Sequence, residues 1–201
     1  MGSKKSMRRA TIFSALISLV AFLYKMGLGI LSLSIILMVA SLSTLLVFIC
    51  KVIFIANVLE SREKKRKAYF FMAVIALAFG ILFLLFAVLK VGGIDTSSKN
   101  TYSGLFGLLF ISFVILMFLL SIIKLSGALA KDDLMVIGLK EMTFISALTD
   151  AVIIEEFLYK VVEELRTYKY MNIINEYFPL IVAAVMLLVP LMMFLRYRRA
   201  E

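Results

Sequence analysis

Between Arg9 and Glu60 the chain carries only two charges, Lys25 and Lys51. About fifty such residues accommodate two membrane passes of about twenty residues each. Glycine and serine gather at Gly27, Gly29, Ser32 and Ser34, so the turn between the passes is expected there. Further uncharged runs follow at 68–89, 100–123 and 177–195, the last closing on Arg196, Arg198 and Arg199. Apolar residues make up 63% of the 201 and the mean hydropathy is +1.06. Soluble domains average about 45–50% apolar residues. The pattern predicts an all-α, polytopic membrane helix bundle in a single domain, 1–201, with the lipid bilayer as its solvent.

Six spans are expected at about 10–31, 35–58, 68–90, 101–123, 136–158 and 177–195, joined by a charged loop at 60–67 (ESREKKRK) and a polar turn at 91–99. The fifth is the ambiguous one. Residues 142–149 are uncharged, but Lys140, Glu141, Asp150, Glu155 and Glu156 surround them, which fits an interfacial helix or an inner span shielded by its neighbours. Topology arbitrates. Six spans with both termini in the cytoplasm place fifteen Lys and Arg residues inside and six outside, with Lys25 and Lys90 among the outer ones and Lys51 within a span. Five spans would put the arginine-rich end outside.

The formal charge of +9 is therefore explained by topology, and no nucleic-acid partner is expected. The basic loop 60–67 and Arg196–Arg199 should attract anionic lipids, and the plasma membrane is the expected location. The basic start resembles a signal peptide, but no A-x-A site follows, so it is read as the first span. The single cysteine, Cys50, excludes a disulfide framework. No histidine is present, and no nucleophile–base pattern or phosphate loop is found, so neither an enzyme nor a cofactor is expected. Met186, Met192 and Met193 crowd the last span, where packing explains them better than copper does.

Residues 29–47 (GILSLSIILMVASLSTLLV) and 138–145 (GLKEMTFI) resemble the second- and fifth-span signatures of cation diffusion facilitators. That resemblance implies a six-span transporter and a homodimer. It also implies an i, i+4 pair of metal ligands on each of the two spans. The matching positions here are Ser43, Val47, Glu141 and Ile145, and three of the four cannot act as charged ligands. A second register of span two gives Ser41 and Leu45, while a shifted fifth span offers Ser146 and Asp150. The family's C-terminal metal-sensing domain has no counterpart in these residues. Zinc–proton antiport is thus not expected, and no metal site is assigned.

Lys51 and Glu141 should lie at similar depth on antiparallel spans, so one expectation is that a Lys51–Glu141 ion pair replaces the metal; another is that Lys51 snorkels to the interface. Asp150, deep in the fifth span, is the other candidate polar contact. Glu155, Glu156, Glu163 and Glu164 suggest a solvated outer face, and Asn57 a span-end cap. Two functions remain open: a transporter-like protein for another ion or solute, and a non-transporting scaffold that packs against a membrane partner.

Overall fold

A computed structural model of the chain describes residues 2–93, 112, 115–116, 118–123, 133–161 and 168–199. The chain is all-α, and five long helices carry the described fold: α1 (Gly2–Leu31), α2 (Ile35–Asn57), α3 (Arg62–Val91), α4 (Leu134–Val161) and α5 (Lys169–Arg199). Residues 118–123 are also helical. The rest of the expected fourth span lies outside the described residues.

Four stretches are long and apolar enough to cross a membrane: Met7–Leu31, Ile35–Asn57, Arg62–Val91 and Tyr170–Arg199. Each is 23 residues or more, and about twenty suffice for a hydrocarbon core. α4 is long enough too, at 28 residues or about 42 Å, yet its acidic residues keep it out of that set.

Local chemistry explains the ends. The first turn falls where expected: Leu33 takes φ 51, and the Ser34 hydroxyl caps α2 by accepting from the Leu37 amide at 3.5 Å. Asn57 closes α2, its Nδ2 donating to the Ile53 carbonyl at 2.8 Å. The segment 60–67 departs from the expected loop, because α3 already begins at Arg62. Glu60–Lys64 and Glu63–Lys67 pair one turn apart at 3.0 and 2.6 Å, which lets a highly charged stretch stay helical.

α1 and α2 form an antiparallel hairpin, α3 pairs with α5, and α4 packs against α2, α3 and α5. One apolar core runs between them, with Phe54, Tyr69, Phe83, Met135, Met142, Ile145 and Met186 fully buried. Where α3 meets α4, Gly138 faces Tyr69. A Cβ at Gly138 would lie 2.8 Å from Tyr69 Cδ2 and 3.2 Å from Met72 Sδ. The Tyr69 ring cannot retreat, since it is buried and its hydroxyl is tied to Glu141. Gly138→Ala should therefore cost about 1–3 kcal/mol through overpacking. Gly27→Ala, where a Cβ meets nothing within 4 Å, should not destabilise. Thermal unfolding of both variants in detergent checks the contrast.

α5 contains Pro179 and Pro190 within its length. Neither can donate a backbone hydrogen bond, so the helix lacks two rungs of its ladder.

Candidate functional site

α4 brings carboxylates into the interior at three levels. Its acidic residues 141, 150 and 155–156 are spaced so that successive levels lie about 13 and 8–9 Å apart along the axis. A cation from a different helix meets each level, which explains how so polar a helix can lie inside the bundle.

At the first level the Glu141 carboxylate, buried, accepts from the Tyr69 hydroxyl at 3.2 Å and from the Arg196 guanidinium. Arg66 lies over the Tyr197 ring, 4.8 Å from its centroid, so the start of α3 and the end of α5 share one basic end of the molecule. The expected Lys51–Glu141 pair does not form. Glu141 faces α3 and α5, whereas Lys51 faces α1, where its Nζ donates to the Ser14 carbonyl at 2.9 Å and the Ser18 hydroxyl at 2.6 Å. Rotation about the helix axes separates the two side chains.

At the second level Lys25 Nζ lies 2.5 Å from Asp150 Oδ1, with both side chains about nine-tenths buried. The same ammonium donates to Thr44 Oγ1 at 3.3 Å. α1 and α4 do not pack backbone against backbone, and the Lys25 side chain bridges the gap between them. The topology count put Lys25 on the outer side of the first span, whose expected end at 31 is the end of α1. Lys25 lies six residues before that end, about 9 Å along the axis, and is buried.

Ser43 and Ser146 stand about one turn away, their hydroxyls 3.1 Å apart. Ser43 also donates to the Ala40 carbonyl at 2.7 Å, so Ser146 supplies the proton between the two. Thr44 and Asp150 share the Lys25 ammonium and Ser43 meets Ser146, so the residues of the shifted fifth-span register, Ser146 and Asp150, lie beside this part of α2. Val47 and Ile145, the other two matched positions, are buried.

At the third level Glu156, buried, lies 4.0 Å from Lys90, which also donates to Asn175 Oδ1 at 3.3 Å. The expected solvated face is therefore overturned at 155 and 156: Glu156 is buried and Glu155 half-buried, because α3 and α5 cover this end of α4. Glu163 and Glu164 lie outside the described residues.

Between α1, α2 and α4 a cavity of about 400 Å³ opens beside the second level. Its walls include Lys25, Asp150, Thr44, Ser146, Ser18 and Lys51. Among the described residues no three histidine, cysteine, aspartate or glutamate side chains come together. The single carboxylate in this wall is already engaged by an ammonium, and serine and threonine hydroxyls are weak ligands for a divalent ion without further negative charge.

No family model, curated protein sequence or solved structure matches this chain. The resemblance to cation diffusion facilitators therefore stands on the two sequence segments alone. Lys25 and Arg196 were missed as partners in the sequence. Their signal was present, since two cations near span ends had to find buried acids or reach water, but the choice needed helix rotations.

Proposed function

We propose that this protein is a six-span membrane transporter of facilitator-like layout, with both termini cytoplasmic, in which the Lys25–Asp150 pair takes the place of a transported divalent ion. The observation that carries this reading is the Lys25 ammonium on Asp150, beside the Ser43–Ser146 contact. It sits where the matched segment of α2 meets the residues of α4 just after 138–145. An ammonium there neutralises the carboxylate as a bound cation would, and it excludes that cation electrostatically.

Three further observations support the reading. The acids of α4 face Arg196, Lys25 and Lys90, as a protected inner span requires. The basic segments at the start of α3 and the end of α5 meet at one end, as the positive-inside rule asks of two cytoplasmic segments. The hydroxyl-lined cavity leaves room for a solute beside the ion pair.

The test is flux into proteoliposomes. Zinc, manganese and cadmium uptake should not exceed that of empty liposomes. Solid-supported-membrane currents, screened over small organic anions, cations, zwitterions and neutral polar solutes, should appear for one class and disappear in Asp150→Leu. Zinc flux abolished by Asp150→Leu would restore a metal transporter. Silence across every class, with the protein folded in the liposomes, would leave the scaffold function, for which buried Val47 and Ile145 provide the sealed interior.

A further inference from the structure

The cavity beside Lys25–Asp150 has a neighbour. A second cavity of about 370 Å³ adjoins it on the side of the basic end and is lined by Met7, Thr11, Phe54 and Lys140. Ser14, Lys51, Ser121 and Thr143 line both, so Lys51 stands where the two cavities adjoin along one route. Its ammonium is fixed there by the Ser14 carbonyl and the Ser18 hydroxyl.

The walls of the two cavities are mostly apolar, and the polar groups set in them are mainly donors. Lys25, Lys51 and Lys140 supply ammonium groups, and Ser14, Thr143 and Ser146 supply hydroxyls. Among the described residues the one carboxylate in either wall is Asp150, and it is held by Lys25. A cation here would meet the Lys51 charge and find that acid already paired. An anion would meet the ammonium groups and a few hydroxyls on otherwise apolar walls. Lysine- or arginine-lined constrictions select anions in membrane pores for this reason, and a low dielectric strengthens the preference.

We propose that the two adjoining cavities bind a small anionic group, a carboxylate or phosphate, with Lys51 as the residue that sets the sign of the charge. This rests on the transporter reading above and narrows it to a substrate class. The anionic group belongs either to a free solute or to a phospholipid head group, since both present the same oxygens to an ammonium.

The experiment compares wild type, Lys51→Gln and Lys51→Arg in proteoliposomes on solid-supported membranes. The probes are acetate, succinate and inorganic phosphate on one side, choline and arginine on the other. Wild type should respond to at least one anion and to neither cation. Lys51→Gln should weaken the apparent affinity roughly tenfold or more, as loss of a charged hydrogen bond does, and Lys51→Arg should stay within about threefold of wild type.

Phospholipid analysis of the purified proteins separates the two sources. An anionic lipid retained by wild type and lost in Lys51→Gln identifies a head group as the ligand. A response to cations, or an anion response indifferent to Lys51→Gln, overturns the anion assignment and leaves the transporter reading standing. Silence toward every class of solute, with no lipid retained, overturns both. Should Lys51→Gln fail to fold, the sign preference of wild type and the behaviour of Lys51→Arg still decide.

Discussion

Replacing Asp150 by leucine should lower the stability of the protein in detergent by about 3–5 kcal/mol, the range for removing one partner of a buried ion pair. Lys25 and Asp150 are each about nine-tenths buried and 2.5 Å apart, so the orphaned ammonium is left largely desolvated. Thr44, at 3.3 Å, is a neutral acceptor and compensates only in part. At roughly 2–4 °C per kcal/mol for a chain of this size, the melting midpoint should fall by about 10 °C.

Lys25→Met should cost a similar amount by orphaning the carboxylate. The double variant Lys25→Met/Asp150→Leu should recover most of the loss, because well-packed apolar side chains replace a buried pair at little cost. A double variant whose loss equals the sum of the two single losses would show that the side chains contribute through separate contacts. The same double variant should fold and yet lose solute currents, which separates the stability of the pair from its use.

The second large effect is expected at the basic end. Arg196→Glu sets a new carboxylate against Glu141, which is buried and held by Tyr69 and Arg196 together. Removing the cation and adding a like charge should cost about 3–5 kcal/mol, measured as loss of folded protein on thermal scans. Arg196 itself is about a quarter exposed, so the introduced glutamate can swing partly toward solvent, which sets the lower end of the range. The exchange Glu141→Arg/Arg196→Glu should restore much of the loss. Arg198→Glu serves as the control, because Arg198 is exposed and surface charges are worth about 0–1 kcal/mol.

Much of the fold was legible because membrane helices announce themselves by what they omit. The uncharged runs placed α2 and the end of α1 to within a residue, though α1 starts eight residues before the expected 10, and the glycine–serine cluster ending at Ser34 marked the turn between them. The extensions of α3 and α5 beyond the expected spans were less legible. Their additional turns are charged or mixed, and they stay helical through i, i+4 pairs and the α3–α5 contact.

The candidate site was half legible. Acids at 141 and 150 had to be interior groups if α4 crosses the bilayer, and both are buried. Their partners were not, because each partner lies on a different helix at long sequence separation. A change in helix rotation of about 100° per residue decides which of several lysines or arginines reaches which carboxylate. Spacing along one helix holds no information about that angle. The pairing of α3 with α5 was hidden for the same reason, since both present apolar residues all round.

The prolines of α5 give that helix a mechanical character of its own. Proline at 179 and 190 leaves the carbonyls of Asn175 and Met186 without the amide each would serve in an unbroken helix. α5 thereby keeps one continuous helix with two weakened points along it. One end carries Asn175 against Lys90, and the other carries Arg196 against Glu141. Bending at either point would break fewer main-chain bonds than bending elsewhere in the helix, so the stretch between the two contacts is where α5 resists bending least.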